Sequence, residues 1–241
     1  MDPLTPLIAY AENFHSQAGE DGILQELCRR IGIRRNHYVD IGAHDGVYMS
    51  NTEHLRRHGW VGVCYEANRV RYERLKAHLK QYRDNDCEQS TATPINVNDL
   101  CSAVIGIDIL SIDIDGPDYH VWDALTFARP TIVVIEIMAR FTLGYFHIPS
   151  PQAPAIGNAS TDDESAVGAS FSAMVGLGVE KGYRLAAYTG LNCIFVVDEH
   201  AEDAGCPDDP DSLYLDARQR TAYRKLVERK TAIRGELARL A

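Results

Sequence analysis

The feature that most constrains the fold is an unbroken apolar run after Pro130, TIVVIEI, at residues 131–137. Its length fits one strand, and strand side chains alternate between the two faces of a sheet, so this strand would be apolar on both faces. Strands covered on both faces are typical of parallel sheets with helices packed on each side. The run therefore predicts a central strand of an α/β domain.

Helix and strand patterns alternate along the rest of the chain. Apolar residues at spacings of three and four predict an amphipathic helix at 21–31. Further helices are predicted at 52–58, 69–81, 119–127 and 168–181, the last ending at Gly182. Strands are predicted at 37–42, 62–67, weakly at 91–95, and at 108–114, 131–137, 183–190 and 192–199. This order predicts a doubly wound, mostly parallel sheet with helices on both faces and an antiparallel closing hairpin.

Composition limits the kind of protein this is. At 241 residues one large domain is expected, and the net charge of -10 disfavours nucleic acid as a partner. Since no apolar run of membrane-spanning length and no signal-like amino terminus occur, we expect a cytoplasmic protein without membrane contact. The six cysteines lack any CxxC or Cys/His cluster, which favours reduced structural thiols over a zinc site.

The chain divides at about residue 197. Residues 1–197 are predicted to form the main domain, which includes the amino-terminal helix and a substrate lid at 146–167, a stretch rich in Pro, Ser, Gly and acids. Residues 198–241 read as an acidic linker followed by an amphipathic helix. That helix is expected to dock on the same domain or to form the interface of a homodimer.

A glycine turn follows the first predicted strand, in YVDIGAHDG. Gly42 and Gly46 would let backbone N–H groups approach a ligand at the carboxyl edge of the sheet, although their spacing does not match GxGxxG. Glu66 ends the next strand and is placed to accept hydrogen bonds from a ribose. Asp40 and Asp45 flank the glycines and would repel a pyrophosphate. A nucleoside with a cationic centre fits better, and S-adenosylmethionine is such a ligand.

Acidic residues follow two later strands. Asp113 and Asp115 lie in LSIDIDGPDYHVW, and Glu136 ends the central run, so three carboxylates are expected at one sheet edge. One interpretation is that Asp113, Asp115 and Glu136 bind a divalent cation such as Mg²⁺. The other needs no ion: Asp113 contacts substrate or cofactor, Asp115 caps the helix near residue 119, and His120 or His44 is the general base.

Six segments together resemble a bacterial branch of the FkbM-like class I methyltransferases: FHSQAGEDGIL (14–24), YVDIGAHDGVYMSNT (38–52), GWVGVCYEANRVRYERL (59–75), LSIDIDGPDYHVWDAL (110–125), RPTIVVIEI (129–137) and GASFSAMVGLGVEKGY (168–183). The resemblance implies a Rossmann-like, seven-stranded sheet that holds S-adenosylmethionine at the 40–46 turn and at Glu66. Members are generally assigned as O-methyltransferases of sugars, polysaccharides or natural products. Related sequences tend to carry Asn where this chain has Met138.

These observations predict an S-adenosylmethionine-dependent methyltransferase, acting on an oxygen of a small polar acceptor such as a sugar or natural-product intermediate. The alternatives are another transferase or lyase that uses the same cofactor, and a cofactor-binding protein without catalysis. The candidate cofactor contacts are Gln17, Asp40, Gly42, Ala43, His44, Asp45, Gly46, Asn51, Glu66, Ala67, Asn68 and Asp113. Glu20 and Asp21 are expected to interact with a helix start or with the cofactor, and His147 to enter the site if the lid closes.

Overall fold

The computed structural model describes residues 5–151 and 168–218. The strands are β1 (His37–Ile41), β2 (Val61–Glu66), β3 (Asp86–Gln89), β4 (Ile109–Ile112), β5 (Ile132–Glu136), β6 (Tyr183–Tyr188) and β7 (Asn192–Val197). They form one sheet in the order β3-β2-β1-β4-β5-β7-β6. β7 is antiparallel to both of its neighbours, whereas β3, β2, β1, β4 and β5 pair in parallel. The sheet is thus a Rossmann-like, seven-stranded sheet with the closing hairpin that the sequence predicts.

The helices cover both faces of this sheet. They are α1 (Glu20–Ile31), α2 (Glu53–Arg57), α3 (Arg69–Leu79), α4 (Val97–Ser102), α5 (Asp118–Ala124), α6 (Phe171–Glu180), α7 (Ala201–Ala204) and α8, which begins at residue 211 and is described to residue 218. α1, α2, α3 and α7 pack on one face, and α4, α5, α6 and α8 on the other. Alternate residues of β5 enter the two cores, which confirms that this strand is covered on both sides.

The prediction of a strand at 91–95 is wrong. That segment is a loop, and the edge strand β3 lies earlier, at Asp86–Gln89. Among the strands of the described ranges β3 pairs only with β2, and its residues DCEQ are mostly exposed. An edge strand with no apolar face leaves no alternating hydrophobic pattern, so sequence reading placed it on the apolar letters that follow.

The strand carrying the two aspartates is shorter than predicted. β4 ends at Ile112, so Asp113 and Asp115 lie in the loop that follows. Asp115 has a left-handed backbone with φ of 61°. The loop conformation therefore brings the two side chains together.

The predicted carboxyl-terminal helix is present as α8 over residues 211–218, the part of it that the structure describes. Leu213, Tyr214 and Ala217 of α8 are buried against the sheet face that carries α6. Tyr214 stacks on Tyr188 of β6 and donates a hydrogen bond to the carbonyl of Phe141. The rest of the predicted helix and most of the predicted lid, 152–167, fall outside the described residues. None of the helices in the described ranges has the length and apolar character needed to cross a bilayer.

Candidate functional site

A cavity of about 920 Å³ opens at the carboxyl ends of β1, β2, β4 and β5. The chain runs from β1 to β2 and β3 on one side and continues through β4 and β5 on the other. Ligands of open α/β sheets bind at such a reversal of strand order. Predicted residues in its lining are Gln17, Asp40, Gly42, Ala43, His44, Asn51, Glu66, Ala67, Asn68, Asp113, Asp115 and Glu136. Sequence reading thus found most of the polar residues that this cavity brings together.

Of the residues predicted as cofactor contacts, general bases or metal ligands, three lie outside this lining in the described part of the chain. Asp45 turns back on its own loop, where Oδ1 accepts hydrogen bonds from the N–H groups of Val47 and Tyr48. Gly46, with φ of 82°, faces the side chain of Leu75. His120 Nε2 is 2.7 Å from the carbonyl oxygen of Pro149.

The glycine turn is held against the neighbouring strands. The N–H groups of Gly42 and Ala43 both donate to the carbonyl of Tyr65, at 2.9 and 3.0 Å. Gly42 has φ of 93°, and a Cβ there would lie 1.7 Å from the carbonyl oxygen of Asp113. Glycine is therefore required at this position both for its φ and because the turn touches the loop after β4.

We expect Gly42→Ala to destabilise the fold much more than Gly32→Ala. Both glycines are left-handed, but a Cβ on Gly32 has no heavy atom within 4 Å. Gly32→Ala should cost about 1 kcal/mol for the backbone conformation alone, whereas Gly42→Ala adds a collision with backbone. Urea denaturation of both variants measures the difference, and equal losses of stability would show that the turn can move away from β4.

Glu66 organises the cavity at the end of β2. Its Oε2 accepts a hydrogen bond from the N–H of His44 at 2.9 Å, and Oε1 accepts from the N–H of Asn68 at 2.6 Å. The side chain is buried yet lines the cavity. Because a carboxylate oxygen can accept more than one hydrogen bond, Glu66 keeps capacity for two ligand hydroxyls. Asn68 in turn caps α3 by accepting from the N–H groups of Val70 and Arg71.

Three carboxylates meet across the cavity from Glu66. One oxygen from each of Asp113, Asp115 and Glu136 lies within 4.8 Å of the others. The register pairs Ile112 of β4 with Ile135 of β5, so Asp113 and Glu136 follow as neighbours. Burial, and then the negative charge of Asp118 and Asp115, raises the pKa of Asp113 to about 7. Burial and the charge of Asp113 raise the pKa of Glu136 to about 9. The cluster therefore favours binding a proton or a cation.

Asp118 is a site-supporting residue that sequence reading missed. It is buried, and its two carboxylate oxygens accept from the N–H groups of Ile114 and Gly116, each at 2.9 Å. The prediction that Asp115 caps this helix is wrong, because α5 begins at Asp118 and its N-cap, Pro117, makes no side-chain bond. An acid in the first helical turn was the available signal.

The histidines are placed differently from one another. His44 lines the cavity with a left-handed backbone, φ of 52°, and its Nδ1 is 3.5 Å from Asp45 Oδ1. His147 lies at the start of the predicted lid, where its backbone N–H donates a hydrogen bond to Ser170 Oγ at 3.0 Å. Of the three histidines considered from sequence, His44 is thus the one whose side chain belongs to the cavity in the described chain.

The segment before α1 reaches the same edge of the sheet. Gln17 lines the cavity. Asp21 Oδ2 accepts three backbone N–H bonds, from Phe14, His15 and Ser16. Glu20 is fully buried and accepts from the N–H of Ala18 and from the side chains of Thr189 and Asn192. Both acids therefore fasten this segment to the body of the protein.

No family model matches the chain, and no curated protein does. Among solved structures, a putative O-methyltransferase from Klebsiella pneumoniae is similar at 14% identity and a TM-score of 0.47, over 82% of this chain and 92% of that one. The N-terminal domain of EvdMO1 with SAH bound is similar at 9% identity and a TM-score of 0.48, over 75% and 80%.

An S-adenosylmethionine-dependent methyltransferase from Clostridium acetobutylicum ATCC 824 is also similar, at 11% identity and a TM-score of 0.39; the match spans half the length of each chain. All three likenesses are distant. The strand order of this chain establishes a Rossmann-like fold, with an acid-lined cavity at the point where that order reverses.

Proposed function

We propose that this protein is an S-adenosylmethionine-dependent methyltransferase of the FkbM-like type, acting on a hydroxyl group of a small polar acceptor. The observation that carries the proposal is one cavity whose lining includes Glu66, the glycine turn, Asp113 and Glu136. The Glu66 carboxylate can accept hydrogen bonds from the hydroxyls of a ribose. The carboxylates of Asp113 and Glu136 can accept the proton that an acceptor hydroxyl loses when it is methylated.

The residues of the turn would hold the cofactor. Glu66 would accept hydrogen bonds from the ribose, and Asp40, which lies near the end of β1 and lines the cavity, would face the ammonium group of the amino acid end. Asn51 is buried and lines the same cavity, and its Oδ1 has no hydrogen-bond partner among the described residues. An acceptor atom left open in this way suits a ligand N–H or O–H. When bound, S-adenosylmethionine supplies a methyl group on a sulfonium leaving group.

Asp113 would act on the acceptor. Its carboxylate would take the proton of the acceptor hydroxyl, while the bound cofactor would supply the methyl group to the hydroxyl oxygen and leave as S-adenosylhomocysteine. S-adenosylhomocysteine and the methyl ether are the products. His44 is the second candidate base because it is the histidine in the lining of the same cavity, as far as the chain is described. Much of the rate would come from holding the acceptor oxygen in line with the methyl group.

A divalent cation fits the three carboxylates. Oxygen ligands at about 2.1 Å from Mg²⁺ lie at most about 4 Å apart, so oxygens within 4.8 Å need to close only slightly. Asp113, Asp115 and Glu136 would hold the ion, with hard oxygen donors of the kind it prefers. A bound cation would increase the acidity of an acceptor hydroxyl.

Product analysis tests the proposed function. The protein is incubated with S-adenosylmethionine and a panel of sugars and polyols, and the products are identified by mass spectrometry. A methylated acceptor with S-adenosylhomocysteine supports the proposal. Methylthioadenosine as the product would indicate a different reaction of the same cofactor. If calorimetry detects no binding of S-adenosylhomocysteine, the protein does not use this cofactor and the proposal is wrong.

Mg²⁺ alone is expected to raise the melting temperature of the wild-type protein at pH 8. At ten times the dissociation constant the gain is about 1.4 kcal/mol. Asp113→Asn should abolish the gain, whereas Asp86→Asn, at an exposed position of β3, should retain it. Identical melting with and without Mg²⁺ would remove the ion from the proposal and leave Asp113 as the base.

A further inference from the structure

A buried arginine lies behind the cavity and does not line it in the described chain. The side chain of Arg56, in α2, is fully buried. Its guanidinium donates to Gly46 O (2.5 Å), Ser50 Oγ (3.2 Å), Thr52 Oγ1 (2.6 Å), Glu53 Oε2 (3.2 Å), Tyr38 OH (3.3 Å) and Cys64 Sγ (3.3 Å). One cation thus joins α2, β1, β2 and the glycine turn.

Two of these bonds hold the segment that follows the glycine turn. Arg56 binds the carbonyl of Gly46 and the hydroxyl of Ser50, at the two ends of 46–50. Between them, Tyr48 and Met49 line the cavity, and Met49 has a left-handed backbone with φ of 54°. A non-glycine residue in that conformation costs about 1 kcal/mol or more and persists only when its surroundings hold it.

A third bond reaches Asp40 through a threonine. Thr52 Oγ1 donates to Asp40 Oδ2 at 2.5 Å and accepts from Arg56 at 2.6 Å. The direction is fixed, because arginine only donates and a threonine hydroxyl has a single proton. Asp40 lines the cavity although it is almost wholly buried. The orientation of its carboxylate therefore depends on the position of Arg56.

The charge of Arg56 is balanced by Glu53. That carboxylate is also fully buried and accepts from Arg57 Nε (2.8 Å) and Tyr82 OH (2.6 Å), and it lies 2.9 Å from His78 Nε2. Burial favours its protonation, but the hydrogen bonds of Tyr82 and His78 and the charge of Arg56 outweigh it and lower the pKa of Glu53 to about 2. A satisfied buried network of this kind specifies geometry more than it adds stability.

We propose that Arg56 is a positioning residue for the cofactor site, which sets the 46–52 segment and the carboxylate of Asp40 in the arrangement that receives the amino acid end of the cofactor. This inference rests on the proposed function. Arg56 acts through Gly46, Ser50 and Thr52: Ser50 lines the cavity and Thr52 binds the lining residue Asp40, whereas Arg56 itself is outside the lining in the described chain.

The test compares Thr52→Val with Thr52→Ser by calorimetric binding of S-adenosylhomocysteine. Valine has the shape of threonine but breaks the link from Arg56 to Asp40, so affinity should fall about tenfold. Serine keeps the hydroxyl and should bind like the wild type. Arg56→Lys keeps the charge but loses the planar fork and should also weaken binding. Arg57→Lys is its control, because Arg57 is half exposed and binds the same Glu53.

A merely structural role would give a different result. Thr52→Val and Arg56→Lys would then lower the melting temperature, while the folded protein bound S-adenosylhomocysteine as tightly as the wild type does; that outcome overturns the inference and leaves the proposed function intact. A wild-type protein that does not bind overturns both. If Arg56→Lys does not fold, the Thr52 pair decides alone.

Discussion

Glu66→Ala is expected to lower the affinity for S-adenosylhomocysteine by about 100-fold or more. The variant would lose two hydrogen bonds between the Glu66 carboxylate and the ribose, each stabilising the complex by roughly 1.5–3 kcal/mol. It would also release the N–H groups of His44 and Asn68, which border the same cavity. Loss of direct contacts and loss of turn geometry therefore act in the same direction.

Calorimetry on the folded variant measures this change. Glu88→Ala is the control, because Glu88 is an exposed acid on the neighbouring strand β3 and the substitution changes the net charge equally. It should bind like the wild type. If Glu66→Ala and Glu88→Ala bind S-adenosylhomocysteine equally well, the nucleoside does not lie against Glu66, and the proposed orientation of the cofactor is wrong.

The stability of the metal-free wild-type protein should fall as the pH rises from about 5 to 9. The pKa values of Asp118, Asp113 and Glu136 in the folded protein are raised to about 6, 7 and 9, mainly by burial. In the unfolded chain these groups lose their protons near pH 4. The folded state therefore holds more protons across this range, and its stability falls with pH.

Glu136→Gln should remove much of this dependence and raise the melting temperature at pH 8 by several degrees. Glutamine has nearly the shape of the protonated Glu136 side chain but cannot ionise. The free energy of unfolding of the variant therefore no longer falls through ionisation at position 136 as the pH rises. Thermal melts without divalent ions, at pH 5, 7 and 9, measure the effect. Glu180→Gln, at an exposed position of α6, should melt like the wild type. If the melting temperatures of the wild type and of Glu136→Gln changed with pH in parallel, the carboxylates of the cluster would be ionised over the whole range from pH 5 to 9, and the prediction would be wrong.

The polar residues of the site were predictable where they follow apolar strands. Glu66 and Glu136 each end a strand, and Asp40 is the last residue but one of β1; these strands have a plain hydrophobic pattern, and parallel strands bring such ends to one edge. Asp118 and Arg56 lacked that signal. Their sequence neighbourhoods read as ordinary helix starts and surface arginines, and only tertiary packing shows that both are buried and bonded.

The sequence by itself determined most of the alternation of strands and helices, the buried central strand and the closing hairpin, because hydrophobic periodicity and glycine turns act locally along the chain. The positions of acids at or near the ends of apolar strands also predicted which carboxylates lie at the carboxyl edge of the sheet. Tertiary structure alone decided the exposed edge strand β3, the loop that brings Asp115 to Glu136, and the bonds of Arg56 to the glycine turn. Each of those depends on residues far apart in sequence, whose contacts are set by packing and electrostatics and leave no periodic trace in the chain.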